Sequence, residues 1–468
     1  MKTIKTRLLV VGGGPGGYVT AIRASQLGIE VTLVETDRLG GTCLIRGCIP
    51  SKALIHAASR FEDIHNASIK NTLGISVGGE PKLDLSETIR WKDGVVNRLN
   101  EGVAGLLRRA KVQVISGWAQ FSDAKSCVVA TAGGSVGISA EHVVLATGSE
   151  PIELSGLPFG GAIISSTEAL SLQALPGSLA VVGAGYIGLE LGSAFRKLGV
   201  AVTVIEAQDR MLPLYDPPLV KPVARWLERA GVTLHLGAKV EGFESGKLFV
   251  QTSEGKSLAI TADKVLVTVG RRPRTQGWGL ESMGVDMDGR FVRVDDQCRT
   301  SMRNVWAIGD LVGEPMLEHK AKAQGEMVAE IIGGRRRRFD PVAIPAVCFT
   351  EPEIVSVGLS PGDARIANID ASEVMTAQFP FSANGRALSM EVGDTGGFVR
   401  VVARKHDHRL LGIQAVGAHV SELSGEFALA LEMGATLEDV AGVIHAHPTL
   451  SEAFFEASLA GLGHAIHS

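Results

Sequence analysis

The chain has 468 residues, 45% hydrophobic and 21% charged, the balance of a soluble globular protein of roughly three domains. A net charge of −4 excludes a general affinity for nucleic acid, which needs a basic surface. Without a run of about 20 apolar residues no membrane-spanning helix is predicted, and five cysteines do not make a secreted disulfide scaffold, so a cytoplasmic location is expected.

The first predicted element is a buried strand, Leu8-Leu9-Val10-Val11, followed by the turn Gly12-Gly13-Gly14-Pro15-Gly16-Gly17, a helix to Leu27, a second strand at 31–34 and Glu35. The same plan returns at Leu179-Ala180-Val181-Val182, with the turn Gly183-Ala184-Gly185-Tyr186-Ile187-Gly188, a helix to Leu198, a strand at 202–205 and Glu206. From first glycine to acid both units span 23 residues. Each is a G-x-G-x-x-G dinucleotide fingerprint in its proper strand–turn–helix setting. Glycine lets the backbone approach a pyrophosphate, the helix N-terminus supplies N–H donors, and the closing carboxylate takes ribose hydroxyls. A carboxylate at Glu206 repels a 2′-phosphate, which favours NAD over NADP.

Between these units the segment Gly40-Gly41-Thr42-Cys43-Leu44-Ile45-Arg46-Gly47-Cys48-Ile49-Pro50-Ser51-Lys52 holds two cysteines. Their spacing is about one helical turn, within reach of a disulfide if a helix begins there. A helix N-terminus also lowers a thiol's pKa. Incidental cysteines and metal ligands share such spacings, although no second Cys or His pair completes a tetrahedral zinc site nearby. Cys127, Cys298 and Cys348 read as ordinary, partly buried cysteines. Further strand ends follow at residues 143–148, 265–270 and 304–310. The run Arg335-Arg336-Arg337-Arg338 reads as a solvated linker, with partner docking as the other reading. Beyond Pro341 alternating strands and amphipathic helices predict a separate α+β domain. There His447 precedes Pro448, with Glu452 placed to hold its imidazole as a base-plus-orienter pair. His445 reads as structural.

The segment GGTCLIRGCIPSK, the ATG at 146–148, the GRRP at 270–273, the AIGD at 307–310 and the HAHPTLSE at 445–452 occur in one order, which resembles the pyridine nucleotide-disulfide oxidoreductases, class I. The resemblance spans essentially the whole chain. It implies an α/β fold: two Rossmann-like dinucleotide-binding domains, for FAD and NAD, plus a C-terminal α+β dimerisation domain. The expected boundaries are 1–150 and 273–340 for FAD, 151–272 for NAD and 341–468 for the interface.

Roles follow from the same resemblance. Gly12, Gly14, Gly17 and Glu35 hold the ADP half of FAD, with Gly41, Thr42, Gly117, Thr147 and Asp310 as further contacts. Lys52 sits near the flavin, paired with Glu190. Gly183, Gly185, Gly188, Glu206, Val240 and Gly270 bind NAD. Cys43 and Cys48 form the redox disulfide, Cys43 meeting substrate and Cys48 facing the flavin. His447 and Glu452 serve the active site of the other subunit, so a homodimer is implied. Within the family the match is to the branch that oxidises dihydrolipoyl groups, which implies lipoyl domains and the acyltransferase core of a 2-oxo acid dehydrogenase complex as partners. A glutathione reductase-like disulfide reductase is the alternative. Three departures from the family pattern are Leu44-Ile45-Arg46 between the cysteines, Gln324 and Arg274.

Overall fold

The computed structural model describes residues 2–69, 73–366 and 369–467. It divides into two compact units, each assembled from separate stretches of chain. The first comprises Met1–Leu154, Ile164–Leu175 and Val269–Asp340, the second Ser155–Ile163, Pro176–Thr268 and Pro341–Ser468.

The first unit is built on β1 (Lys2–Val11), α1 (Pro15–Gln26), β2 (Val31–Glu35), α2 (Gly41–Arg46), α3 (Cys48–Ile69), α4 (Leu85–Arg109), β3 (Gln113–Ser116), β4 (Trp118–Phe121), β5 (Ser126–Thr131) and β6 (Gly134–Leu145). The sheet order is β3-β2-β1-β6-β5-β4, with the strand Val305–Ala307 also on β6. β1 begins six residues before the predicted apolar run, because β6 pairs along its whole length from Lys2↔Val136 to Val11↔Leu145. Only residues 8–11 also pair β2. That central stretch is covered on both faces, as parallel strands are. Leu8 and Val10 enter one core with Ala21 and Ala24 of α1 and Val103 and Leu107 of α4. Leu9 and Val11 point the other way, into a core with Phe121, Val129 and Trp278, as the two-residue period of a strand requires.

In the second unit parallel strands run in the order Thr233–His235, Ala201–Ile205, Ser178–Val182, Lys264–Val267. The helix Tyr186–Lys197 follows the second glycine turn. An antiparallel sheet, Lys239–Glu244, Lys247–Gln251 and Ser257–Thr261, is attached. Residues beyond Pro341 form a five-stranded antiparallel sheet in the order Ala346–Cys348, Glu353–Gly358, Leu410–Gly417, Phe398–Arg404, Val374–Pro380. Its core takes Phe427 and Leu431 from the helix Ser424–Glu432 and Phe454 and Ala457 from the helix Glu452–Gly461. No helix among the described residues is long and apolar enough to cross a membrane.

The four arginines at 335–338 are exposed, as a solvated linker requires, but two of them also reach back to a buried group. Glu330, 2% exposed, accepts from Arg23 (2.5 Å), Arg335 (2.9 Å) and Arg337 (2.6 Å). A buried carboxylate needs such partners, so two of the four arginines secure the end of the first unit.

Both glycine turns depend on a missing side chain. A Cβ on Gly17 would lie 1.8 Å from the Gly12 carbonyl oxygen, and one on Gly188 would lie 2.2 Å from that of Gly183. Gly17→Ala and Gly188→Ala are each expected to lose about 1–3 kcal/mol through overpacking. By contrast, Gly94 sits exposed inside α4 with open space around it, and Gly94→Ala is expected to gain about 0.5–1 kcal/mol. Thermal midpoints of the three variants check this; opposite signs for the two classes are the expected result.

Candidate active site

In the first unit the end of β1, the start of α1 and the start of α2 converge. Gly14 caps α1 without a side-chain hydrogen bond, and no acidic residue lies in its first turn. Its leading N–H groups are thus presented by a bare backbone, the arrangement that takes a phosphate. Gly41 approaches so closely that a Cβ on it would lie 2.5 Å from the Gly14 Cα. The two helix starts therefore share one cradle, and Thr42 follows Gly41 in the second of them. Glu35 closes the cradle: Gly13 N–H donates to its Oε2 (2.6 Å) and Asp37 N–H to its Oε1 (2.8 Å). Burial raises the Glu35 pKa, against the lowering from the Gly13 and Thr36 N–H groups. Gly117 stands beside it, its N–H on the Glu35 carbonyl (2.9 Å). Thr147 donates to the Arg274 carbonyl (3.0 Å), and Asp310 accepts from Ser149 (2.5 Å). The cradle that a Cβ would fill and the uncapped helix start fit the pyrophosphate of a dinucleotide.

The cysteines sit next to this cradle, but not on one continuous helix. Cys43 is in α2, Gly47 breaks the chain with φ −135° and ψ −114°, and Cys48 opens α3. The break needs glycine, because a Cβ on Gly47 would lie 2.8 Å from the Thr42 carbonyl oxygen and 3.3 Å from the Cys43 Cα. This approach brings the thiols together: they are held as a hydrogen-bonded dithiol. That hydrogen bond, then burial, then the charges of Cys48 and Glu318 push the Cys43 thiol well up, while Lys52 pulls it down. Cys43 lies in the first turn of the short helix, and Cys48 opens the long one. Arg46 is not a cation facing the thiols, because it pairs with Asp37.

The second unit repeats the cradle. Gly185 caps its helix without a side-chain bond, and Glu206 is gripped as Glu35 is, by Ala184 N–H on Oε2 (2.7 Å) and Gln208 N–H on Oε1 (2.8 Å). Ala238 N–H donates to the Glu206 carbonyl (2.8 Å), which carries the strand bearing Val240 past the acid. Gly270 takes φ +125° just beyond the strand Lys264–Val267. Glu190 is 4% exposed and accepts from Phe349 N–H (2.9 Å).

His447 Nδ1 lies 2.9 Å from Glu452 Oε1, and Thr449 N–H holds the other carboxylate oxygen at 2.8 Å. Burial raises the Glu452 pKa, but the Thr449 N–H and His447 outweigh it and the net shift is downward. The carboxylate therefore keeps its charge as pH falls into the usual carboxylate range and loses it only below. With Nδ1 donating to it, Nε2 is the basic nitrogen. The imidazole is 78% exposed in the single chain. His445 is held apart, against Glu426 (3.1 Å) and the Val443 carbonyl (3.1 Å).

Two departures from the family pattern gain a local reason. Gln324, 4% exposed, accepts from Gly309 N–H (2.8 Å) and so fixes the turn before Asp310. Arg274 offers its carbonyl to Thr147 and Trp278 and its side chain to Glu150. Sequence reading passed over Asn384, which is buried, caps its own helix and donates to the Thr449 carbonyl (3.0 Å), bracing the His447 loop. Its N-cap position was the available signal.

Burial pushes Cys127 and Cys298 up to about 12, and Cys348 is 0% exposed. Iodoacetamide added to the reduced native protein at mildly alkaline pH is thus expected to label Cys48, the exposed thiol, ahead of Cys43, and to leave the other three unlabelled, since the thiolate is the reacting form. Peptide mass mapping checks this, and label on any of the other three would contradict the assignment.

Two family models cover the chain: pyridine nucleotide-disulphide oxidoreductase over residues 6–325 and the dimerisation domain of the same family over 344–458. The chain is 59% identical to dihydrolipoyl dehydrogenase of Pseudomonas aeruginosa over 99% of both chains. It is 46% identical to dihydrolipoyl dehydrogenase 2 of Haloarcula marismortui, over 100% of this chain and 98% of the relative. Among solved structures, LpdA from Mycobacterium tuberculosis superposes with a TM-score of 0.87 at 27% identity, over 97% of this chain and 99% of that one. The HOCl-induced flavoprotein disulfide reductase RclA from Escherichia coli gives a TM-score of 0.84, also at 27% identity, over 97% of this chain and 99% of that one. FAD and NAD(H) are the cofactors this family brings, and they match the two cradles. The chain belongs to the pyridine nucleotide-disulphide oxidoreductase family.

Proposed function

We propose that this chain oxidises protein-bound dihydrolipoyl groups to the lipoyl disulfide and delivers the electron pair to NAD, as the homodimeric flavoprotein component of a cytoplasmic 2-oxo acid dehydrogenase complex. The observation that carries the reading is the Cys43–Cys48 contact beside the first cradle. The full-length likeness to dihydrolipoyl dehydrogenases supports the choice of substrate. Residues 1–150 and 273–340 hold FAD through Gly12, Gly14, Gly17, Glu35, Gly41, Thr42, Gly117, Thr147 and Asp310. Residues 151–272 take NAD on Gly183, Gly185, Gly188, Glu206, Val240 and Gly270. Residues 341–468 form the dimer interface. FAD held there would supply the two-electron chemistry that links the dithiol to NAD.

The chain's own residues perform the sulfur chemistry. His447 of one subunit takes a proton at Nε2 from a dihydrolipoyl thiol, oriented by Glu452. The resulting thiolate attacks Cys43 of the other subunit's oxidised pair, the Cys43–Cys48 bond breaks, and Cys48 leaves as thiolate. The second dihydrolipoyl thiol then attacks its own mixed disulfide at the lipoyl sulfur. Lipoyl disulfide leaves, with Cys43 and Cys48 reduced. Lys52 holds positive charge near the pair, and Glu190 is its proposed partner. Lipoyl domains and an acyltransferase core are the proposed macromolecular partners.

The purified protein should be yellow and reduce NAD with dihydrolipoamide in ping-pong fashion. Cys48→Ser should abolish lipoamide-dependent turnover, and full turnover in that variant rules the scheme out. His447→Gln should slow turnover by roughly 10²–10⁴-fold with flavin content intact. An unchanged rate removes His447 from the proton transfer. A preference for NADPH with glutathione disulfide would move the chain to the other branch of the family.

A further inference from the structure

We infer that Ser149 and Arg271 form a positioning pair that aims the Asp310 carboxylate at a hydroxyl of bound FAD. The inference rests on the reading that Asp310 belongs to the flavin site. It begins with a short ladder in the first unit, in which residues 149–151 pair antiparallel with 271–273, Arg271 opposite Pro151 and Pro273 opposite Ser149. Arg271 reaches diagonally along this ladder and grips Ser149 twice, Nε to the hydroxyl (2.8 Å) and Nη2 to the carbonyl (2.8 Å).

A guanidinium can only donate. The Ser149 oxygen is therefore an acceptor towards Arg271, and its single proton must point elsewhere. It points at Asp310 Oδ2, 2.5 Å away. Ser149 is 4% exposed, so water does not compete freely for that proton. The direction of the chain is thereby fixed: Arg271 donates to Ser149, and Ser149 donates to Asp310. One carboxylate oxygen is committed to this bond, which leaves the other for a flavin hydroxyl. Asp310 itself sits on a single 3-10 turn, Gly309–Val312, which alone holds a side chain loosely. The turn is pinned from behind by Gln324 on the Gly309 N–H. Ser149 and Arg271 therefore constrain the side chain while Gln324 constrains its backbone, a division of labour that preorganised sites require.

The test uses the full-length dimer, stripped of flavin and retitrated with FAD by quenching of flavin fluorescence. Ser149→Ala is expected to weaken FAD binding about 10-fold, the scale of a lost hydrogen bond to a charged group. Ser149→Thr, which keeps the hydroxyl, should retain near-native affinity. The decisive comparison is the double-mutant cycle with Asp310→Asn, in which Ser149→Ala should add no further loss. Should Ser149→Ala fail to fold, Arg271→Lys replaces it, with the same expected loss and the same absence of effect beside Asp310→Asn. Native FAD affinity in Ser149→Ala with only a lower thermal midpoint overturns the inference, as do losses that add to that of Asp310→Asn. A wild-type chain that binds no FAD instead overturns the functional reading on which this one rests.

Discussion

A carboxylate clamped by the amide of a glycine turn is the constraint on which both halves of the chemistry depend. Glu35 takes the Gly13 N–H and Glu206 the Ala184 N–H at nearly equal distances. Each bond ties the end of one strand to the turn after its neighbour, and so sets where the following helix starts. The glycine carbonyls of Gly12 and Gly183, which no Cβ at Gly17 or Gly188 may crowd, hold the turn from the other side. Displacing the acid would release the turn, and with it the row of N–H groups at the helix start. Each acid therefore has two duties. It braces the turn with one lone pair per oxygen, and in the proposed cofactor site its remaining lone pairs would take a ribose.

The parts of the fold set by short-range chemistry were legible in the sequence. Apolar runs ending in glycine gave the parallel strands, and the repeated distance from first glycine to acid gave the two cradles. What sequence left unread was set by partners far along the chain. β1 is longer than its apolar run because β6 supplies hydrogen bonds to a polar stretch, which no local pattern announces. The arginine run is exposed as it reads, but its pairing was not legible, because Glu330 is an ordinary helical glutamate until the fold buries it.

The cysteine segment illustrates the same limit at the site. Spacing alone brought Cys43 and Cys48 within one turn, and that proximity is present. The route is different: a glycine break between two helices, where one helix was the simpler reading. Arg46 drew attention as a charge between the cysteines, yet its side chain is spent on Asp37. Neither outcome follows from residue types. Both depend on the direction in which the backbone leaves Gly47, which is a tertiary property. Gln324, by contrast, has a local reason in its amide oxygen, which accepts the Gly309 N–H.

The first unit is written in the chain as an opening and a closing passage, and this has a consequence for synthesis. The strand Val305–Ala307 pairs with β6, and Arg23 meets Glu330 across 307 positions of sequence. At 5–20 residues per second, about 15 to 60 seconds separate the emergence of Arg23 and Glu330 from the ribosome, and about 8 to 32 seconds that of β6 and its later partner strand. Through those intervals β6 lacks a neighbour along its final residues and one face of α1 stays uncovered. A nascent chain in that condition exposes sheet edge and apolar surface, so the growing polypeptide is a natural client for chaperones until its last third arrives.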